Sequence, residues 1–177
     1  MARRGTILAL LMAAFVFSGT PVMPQNPAPQ EPPAGLAPTV PAPVVTPQSV
    51  LDEVNTFYAG YWKAWDDRDI KSIEAGLDPE FLAYLYAAPQ GLMQANKEAS
   101  MDGVRQFFDS VRGQQTQWRR TLLTVEPRSS TEVIAAVRNE FALLGAGGEI
   151  EITVEVVRRG ADGRWRLLRK WSEKRLY

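Results

Sequence analysis

The 177-residue chain contains neither cysteine nor histidine. Without thiols it has no disulfide framework, no lipoprotein acceptor and no thiol nucleophile. Without imidazole it lacks the side chain that titrates near neutral pH and the commonest transition-metal ligand, which excludes zinc hydrolysis and serine–histidine catalysis. A long apolar run is missing too. The stretch from Ile7 to Phe17 follows Arg3 and Arg4 and gives way to Ser18, Gly19 and Thr20. As a helix it reaches only about 18 Å, against a hydrocarbon core of roughly 30 Å. That layout predicts a secretory signal over residues 1–20 and an exported protein, periplasmic or secreted. Cleavage after Ser18 would use Val16 and Ser18 as the small-residue positions. The alternative is an uncleaved N-terminal anchor, the one membrane attachment expected of the chain.

Charge is scarce from Pro21 to Pro47, where ten of the thirteen prolines sit and Glu31 is the only ionisable side chain. Such a stretch cannot build a core, and residues 21–48 read as a Pro/Ala-rich linker. Extended, it reaches about 80 Å at ~3.1 Å per residue. It is either a plain spacer or a segment read by a partner that binds proline-rich chains. Residues 49–177 have the size of one ordinary domain. Net charge is zero, but Ser49 to Arg112 carries eleven acids against six bases and Gly113 to Tyr177 twelve bases against eight acids. No basic stripe is concentrated enough to predict nucleic-acid binding. Arg158, Arg159, Arg164, Arg166, Arg169 and Lys170 suit either an anionic partner or a solvated hairpin.

Helix signals come first in this domain and strand signals last. Thr46-Pro47 and Ser49 with Asp52 both offer a helix start, and Val50, Val54, Phe57, Tyr61, Ala64 and Trp65 then recur at helical spacing. Asp69 can cap a short second helix with Ile70 and Ile73 inward, closed by Gly76 before Pro79. Phe81 to Tyr86 reads as a short strand, followed by a loop rich in Ala, Gln, Gly and Asn. Ser100 can cap a third helix in which Val104, Phe107, Phe108 and Val111 share a face, with Gly113 at its exit.

Strands are predicted at Trp118–Val125, Val133–Phe141, Glu149–Arg158 and Arg164–Trp171, separated by turn chemistry at Pro127, Gly145 and Gly160. In the third of these Ile150, Ile152, Val154 and Val156 alternate with Glu149, Glu151, Thr153 and Glu155, the period of a sheet with one dry face. Helices followed by strands predict an α+β domain with helices on one face of an antiparallel sheet.

These residues resemble a known group. Three helices precede a long antiparallel sheet. Tyr61-Trp62-Lys63-Ala64-Trp65-Asp66-Asp67-Arg68-Asp69 leads into the short helix, Asp78-Pro79-Glu80-Phe81 follows it, and Gly163-Arg164-Trp165-Arg166-Leu167 opens the final strand. In this order they resemble the nuclear transport factor 2-like, or cystatin-like, superfamily over nearly all of Ser49 to Lys174. Within it the chain looks most like the SnoaL-like and ketosteroid isomerase-like bacterial branch. The resemblance implies a cone of helices over a curved sheet, a pocket at the wide end, and dimerisation through the sheet.

For the isomerase-like branch the resemblance implies an oxyanion-donating tyrosine on the first helix, a carboxylate base on the first strand and a protonated acid on a later strand. Tyr61 and Glu155 match the first and third positions. No carboxylate stands near Tyr84 and Leu85, where the base belongs. The residues themselves offer plainer readings. Glu155 shares its parity with Glu149, Glu151 and Thr153, a face expected in solvent because an unpaired buried carboxylate is costly. Tyr61 and Trp65 read as core or pocket wall. Asn139 lies on an otherwise apolar face and needs a partner there. Trp165, Leu167, Arg169 and Trp171 share a parity, so Arg169 is either buried with an anion or stacked on Trp171 at the rim. Asp66, Asp67 and Asp69 lack the spacing of a calcium loop.

The expected pocket residues are therefore Tyr61, Trp65, Tyr84, Tyr86, Asn139, Arg169 and Trp171, with Tyr61 and Glu155 as the catalytic alternative. The expected role is binding of a small apolar or aromatic ligand, or of an envelope protein, without cofactor or catalysis. An isomerase- or cyclase-type enzyme is the alternative.

Overall fold

The computed structural model describes residues 46–87, 91–143 and 147–176. The signal segment, nearly all of the proline-rich linker and the start of the Gly145 turn lie outside the described residues. Helix α1 (Pro47–Asp66) begins where the Thr46 side chain accepts the Ser49 N–H at 3.2 Å. Pro47 fills the first helical position, where its missing N–H leaves no bond unmade. The helix buries Val50, Val54, Tyr58 and Ala64. Its inward stripe thus runs through Tyr58, while Phe57, Tyr61 and Trp65 pack partly buried beside it.

Arg68, at φ 56°, breaks the helix, and Asp69 starts α2 (Ile70–Ala75) by accepting the N–H groups of Lys71 and Ser72 at 3.1 and 3.2 Å. Gly76 follows at a close approach, since a Cβ there would stand 2.6 Å from the Tyr61 ring. Its carbonyl accepts the Leu167 N–H at 2.9 Å, tying the end of α2 to the far end of the chain.

Strand β1 (Leu77–Ala87) starts earlier than its apolar run suggests and turns back as β2 (Gly91–Asn96). The second strand replaces the expected loop. Gly91-Leu-Met-Gln-Ala-Asn is poor in β-branched residues, so pairing with β1 makes this strand, not propensity. Asn96 caps α3 (Lys97–Ser110) by accepting the Ala99 N–H at 2.9 Å. Ser100, expected as the cap, therefore lies inside the helix.

Strands β3 (Thr116–Pro127), β4 (Glu132–Leu143), β5 (Gly147–Arg159) and β6 (Trp165–Leu176) complete one six-stranded sheet in the order β2-β1-β6-β5-β4-β3. All neighbours are antiparallel except β1 and β6, which run parallel. The domain is α+β, with a curled, mostly antiparallel sheet. The parallel pair was invisible in sequence because its crossover contains β2, α3 and three further strands, not the single helix that marks a βαβ unit.

Register shifts interrupt β1–β6 after Leu77, β3–β4 after Leu122, and β5–β6 between Val156 and Val157. An extra residue bends its strand and reverses the facing of all that follows. On β6 that residue is Leu168: Val157 pairs with Leu167 but Val156 with Arg169. The inward set on β6 consequently changes from Trp165 and Leu167 to Lys170, Ser172 and Lys174.

Two regimes result along the sheet. At one end Val133, Ala135, Val137, Val157 and Leu167 pack with Val54, Tyr58 and Ile73 into a closed apolar core. At the other the helices stand off the sheet. Asp78, 3% exposed, is held beside the core end by Arg158, whose guanidinium donates to both carboxylate oxygens at 2.8 and 3.2 Å.

Gly76→Ala should cost about 2 kcal/mol in denaturant unfolding, because the methyl meets the Tyr61 ring. Gly60→Ala, in α1 with nothing within 4 Å of the new carbon, should stabilise by about 0.5–1 kcal/mol through helix propensity alone.

Candidate functional site

Where the helices stand off, they and the sheet enclose a hollow of about 350 Å³. One wall is aromatic. Trp65 from α1, Phe107 from α3, Trp118 from β3 and Phe141 from β4 meet at ring-centroid distances of 6.0 Å for Trp65–Trp118, 5.3 Å for Phe107–Phe141 and 4.6 Å for Trp118–Phe141. Phe81, Ala83 and Leu85 of β1 with Met93 of β2 continue the apolar lining.

The adjoining wall is polar. Glu149, Glu151 and Glu155 of β5 face Lys170, Ser172 and Lys174 of β6 inside the hollow. The alternation on β5 is as the sequence suggested, but its facing is reversed: Thr153 is fully buried and Glu155 is 5% exposed, whereas Ile152 and Val154 are 42% and 44% exposed on the outer face. β5 pairs with β4 without interruption, and the bulge at Leu168 on β6 is what makes the inward acids of β5 tolerable. It turns two lysines inward opposite the acids, so carboxylates that would be unpaired without them acquire cations. Lys170 reaches Glu151 at 3.1 Å and Lys174 reaches Glu149 at 2.8 Å. Asn139 finds its partner in the same row, donating to Glu151 at 3.3 Å.

The two deepest acids end in opposite protonation regimes. Burial opposes ionisation of Glu151, but the ammonium groups of Lys170 and Lys174 outweigh it and hold its carboxyl at about 2. For Glu155 burial dominates and pushes the carboxyl up, although the Lys170 charge and hydrogen bonds from Tyr58 and Thr153 pull the other way. The Tyr58 hydroxyl donates to Glu155 Oε2 at 2.8 Å and the Thr153 hydroxyl to Oε1 at 2.9 Å. Burial and the adjoining Glu155 drive the Tyr58 phenol far upward, so it remains a donor. Burial also removes cation stability from Lys170, yet Glu151 and Glu155 more than restore it and keep the ammonium protonated.

A third cation lies beside the aromatic wall. Arg120, its side chain 7% exposed, donates from Nη1 to Asp66 at 2.8 Å and spans the Trp118 ring at 4.5 Å. Its Nη2 and the Ser100 hydroxyl are the two buried side-chain polar atoms among the described residues that meet no hydrogen-bond partner. Both residues line the hollow.

Of the residues expected to form a pocket, the structure gathers Tyr61, Trp65 and Asn139 around this hollow and places four elsewhere. Tyr84 and Trp171 stack on each other outside the sheet, centroids 5.8 Å apart and planes 8° from parallel. Tyr86 is 54% exposed. Arg169 points away from the hollow and donates to the Glu80 carbonyl at 2.6 Å. On β1 alternation puts Phe81, Ala83 and Leu85 inside and the tyrosines outside; on β6 the Leu168 bulge does so. The solvent-facing reading of Glu155 is overturned by its burial. Its phenol partner is Tyr58, three residues before Tyr61 on α1. Asp66, Asp67 and Asp69 serve Arg120, Lys63 and the α2 cap. Sequence reasoning missed Glu151, Lys170, Lys174 and Arg120. One signal for three of them was present: Glu149, Glu151 and Glu155 on one face of β5, matched by Lys170 and Lys174 four apart on the adjoining strand.

Stability should record the two acids with opposite signs. Because the Glu155 carboxyl is raised in the folded state, its contribution is complete below the ordinary carboxyl range and is lost as pH rises through its folded value. Glu151, depressed to about 2, contributes above the ordinary range and loses that contribution as pH falls toward 2. Urea unfolding of Glu155→Gln should show a flatter profile on the alkaline side than the wild type and greater stability at pH 8. Lys170→Met, which strips Glu151 of its nearest cation, should cost about 3 kcal/mol at neutral pH.

No protein-family profile matches the chain, and no curated protein sequence matches it. Solved structures do. A cystatin-like-fold domain from Nostoc punctiforme PCC 73102 superposes with a TM-score of 0.60 at 16% identity, over 75% of this chain and 81% of its own. A nuclear transport factor 2-like protein from Silicibacter pomeroyi DSS-3 gives 0.58 at 15% identity, over 75% and 100%. A ketosteroid isomerase-like protein from Erwinia carotovora atroseptica SCRI1043 gives 0.55 at 14% identity, over 70% and 95%. Helices on one face of a curled sheet, a bulged β6 and a hollow at the open end are thus the local form of the nuclear transport factor 2-like, or cystatin-like, fold.

Proposed function

We propose that this is an exported single-domain protein that binds a small, largely apolar or aromatic molecule in the hollow and does not transform it. The observation that carries this reading is the pairing of an aromatic wall with a polar wall whose charges are already matched. A volume of about 350 Å³ suits a compact ligand, and a mostly apolar lining with a few fixed polar groups is the usual make-up of a binding pocket. On β1 the inward side chains Phe81, Ala83 and Leu85 include no proton acceptor. Export rests on the N-terminal pattern of Arg3, Arg4 and the apolar run to Phe17. The proline-rich stretch then serves as a tether if the N-terminal segment is retained.

A second reading is favoured by one observation, the raised Glu155 carboxyl beside Glu151, whose carboxyl is held at about 2. Acid–base enzymes separate two carboxyls in this way, and the ketosteroid isomerase-like neighbour is consistent with it. In this reading Glu155 carries the proton and Tyr61, on the cavity wall, orients the substrate.

The outer sheet face offers a partner surface in either reading. Ile152, Val154 and Trp171 are each more than 40% exposed and adjoin across β5 and β6, and a second copy is the occupant proposed for them.

Thermal-shift and calorimetric titration with small aromatic compounds should show saturable binding, weakened at least tenfold by Val104→Trp, which fills the hollow. Turnover of a steroid-like or polyketide-like substrate, abolished by Glu155→Gln, would instead establish the enzyme reading. In sedimentation velocity the wild type should run as a dimer and Val154→Lys as a monomer.

A further inference from the structure

We propose that the ligand of the hollow carries an anionic group, a carboxylate or sulfonate, that is received by Arg120. This rests on the reading of the hollow as a binding site and names the chemistry of its occupant.

The cavity cations are not equivalent. Lys170 and Lys174 are each committed to a glutamate within the wall. Arg120 has its strong ionic partner outside the hollow, in Asp66, whose side chain is 54% exposed and does not line the cavity. Asp66 and the more distant Trp62 carbonyl at 3.5 Å both take Nη1. Nη2 has no acceptor, and solvent does not reach it. A buried guanidinium with an unused donor is a poor resting state, because the group was desolvated without replacement of its hydrogen bond.

Position adds to chemistry. The cross-strand row Arg120–Asn139–Glu151 runs beside the row Trp118–Phe141–Glu149, so the guanidinium lies against the Trp118 ring of the aromatic wall, with Asn139 between it and Glu151. A ring lying against Trp118 and Phe141 would bring an attached anion to the guanidinium. Entry requires a small swing of Arg120 about its Asp66 anchor, a rearrangement that a charge-assisted, bidentate contact offsets better than a neutral one. A cationic ligand would find no unclaimed acid: Glu149 and Glu151 hold lysines, and both Glu155 oxygens accept hydrogen bonds from Tyr58 and Thr153.

Calorimetric titration of the full-length protein with 2-naphthoate, 2-naphthamide and 2-naphthylmethylammonium separates the cases. Naphthoate should bind at least tenfold more tightly than naphthamide, and the ammonium weakest. Arg120→Gln should lower naphthoate far more than naphthamide, bringing the two to the same affinity. Asp66→Asn, which frees the guanidinium from its competing carboxylate without touching the cavity lining, should strengthen naphthoate alone; it also decides the matter if Arg120→Gln does not fold. Equal or stronger binding of the neutral or cationic probe, or a naphthoate preference that survives Arg120→Gln, overturns the assignment and leaves the cavity reading standing. Failure of all three probes to bind overturns both.

Discussion

The pairing of β5 glutamates with β6 lysines governs the rest of the molecule. Buried ion pairs stabilise little in net terms, because desolvation offsets most of the Coulomb attraction, but removing one partner is severe. Here the pairs set an orientation. With Lys170 and Lys174 inside, Glu149 and Glu151 can be inside, and a strand whose apolar side would ordinarily face the helices presents its polar side to them instead. That choice leaves a gap beneath α1 and α3 that apolar side chains would have filled, and it puts Ile152 and Val154 on the outside.

The narrow end of the domain makes this arrangement tolerable. Val54, Tyr58, Ile73, Val133, Val137, Val157 and Leu167 form a closed core; the Gly76 carbonyl, accepting from Leu167, ties the end of α2 to β6, and the Arg158–Asp78 clasp ties β5 to β1. Tyr58 joins the regimes, since its ring belongs to the core and its hydroxyl holds Glu155. A protein that binds by a preformed hollow needs such a rigid base, because positioning depends on side chains whose own rotamers are locked.

How far the sequence could be read follows from which features are local. Caps, turn residues and period-two alternation depend on neighbours within a few positions, so Thr46, Asp69, the four C-terminal strands and the α+β class were legible. The parallel placement of β1 depends on residues some ninety positions away, and β2 exists only because β1 is beside it. The candidate site suffered most from one residue. Alternation was traced correctly on β5, but on β6 it was carried straight through Leu168, which grouped Arg169 and Trp171 with Trp165 and Leu167 and left Lys170 on the other face. Once the lysines were misplaced, the acids of β5 had no visible partners, and solvent was the sensible place for them. Asn139 was legible because a lone amide on an apolar face demands an explanation; Arg120 was not, because nothing local distinguishes it from Arg119.

The topology has a consequence for how the protein comes into being. β6 is flanked by β1 on one side and β5 on the other, so an interior strand of the sheet is the last of the six to leave the ribosome. Until it arrives, the β1–β2 hairpin and α3 have no hydrogen-bonded link to β3, β4 and β5, and the acids of β5 have no cations. The nascent chain is therefore two incomplete half-sheets waiting for a common centre, an interval in which open strand edges invite other partners. The stretch that closes the gap also neutralises the wall, so joining of the halves and burial of the glutamates occur as one event.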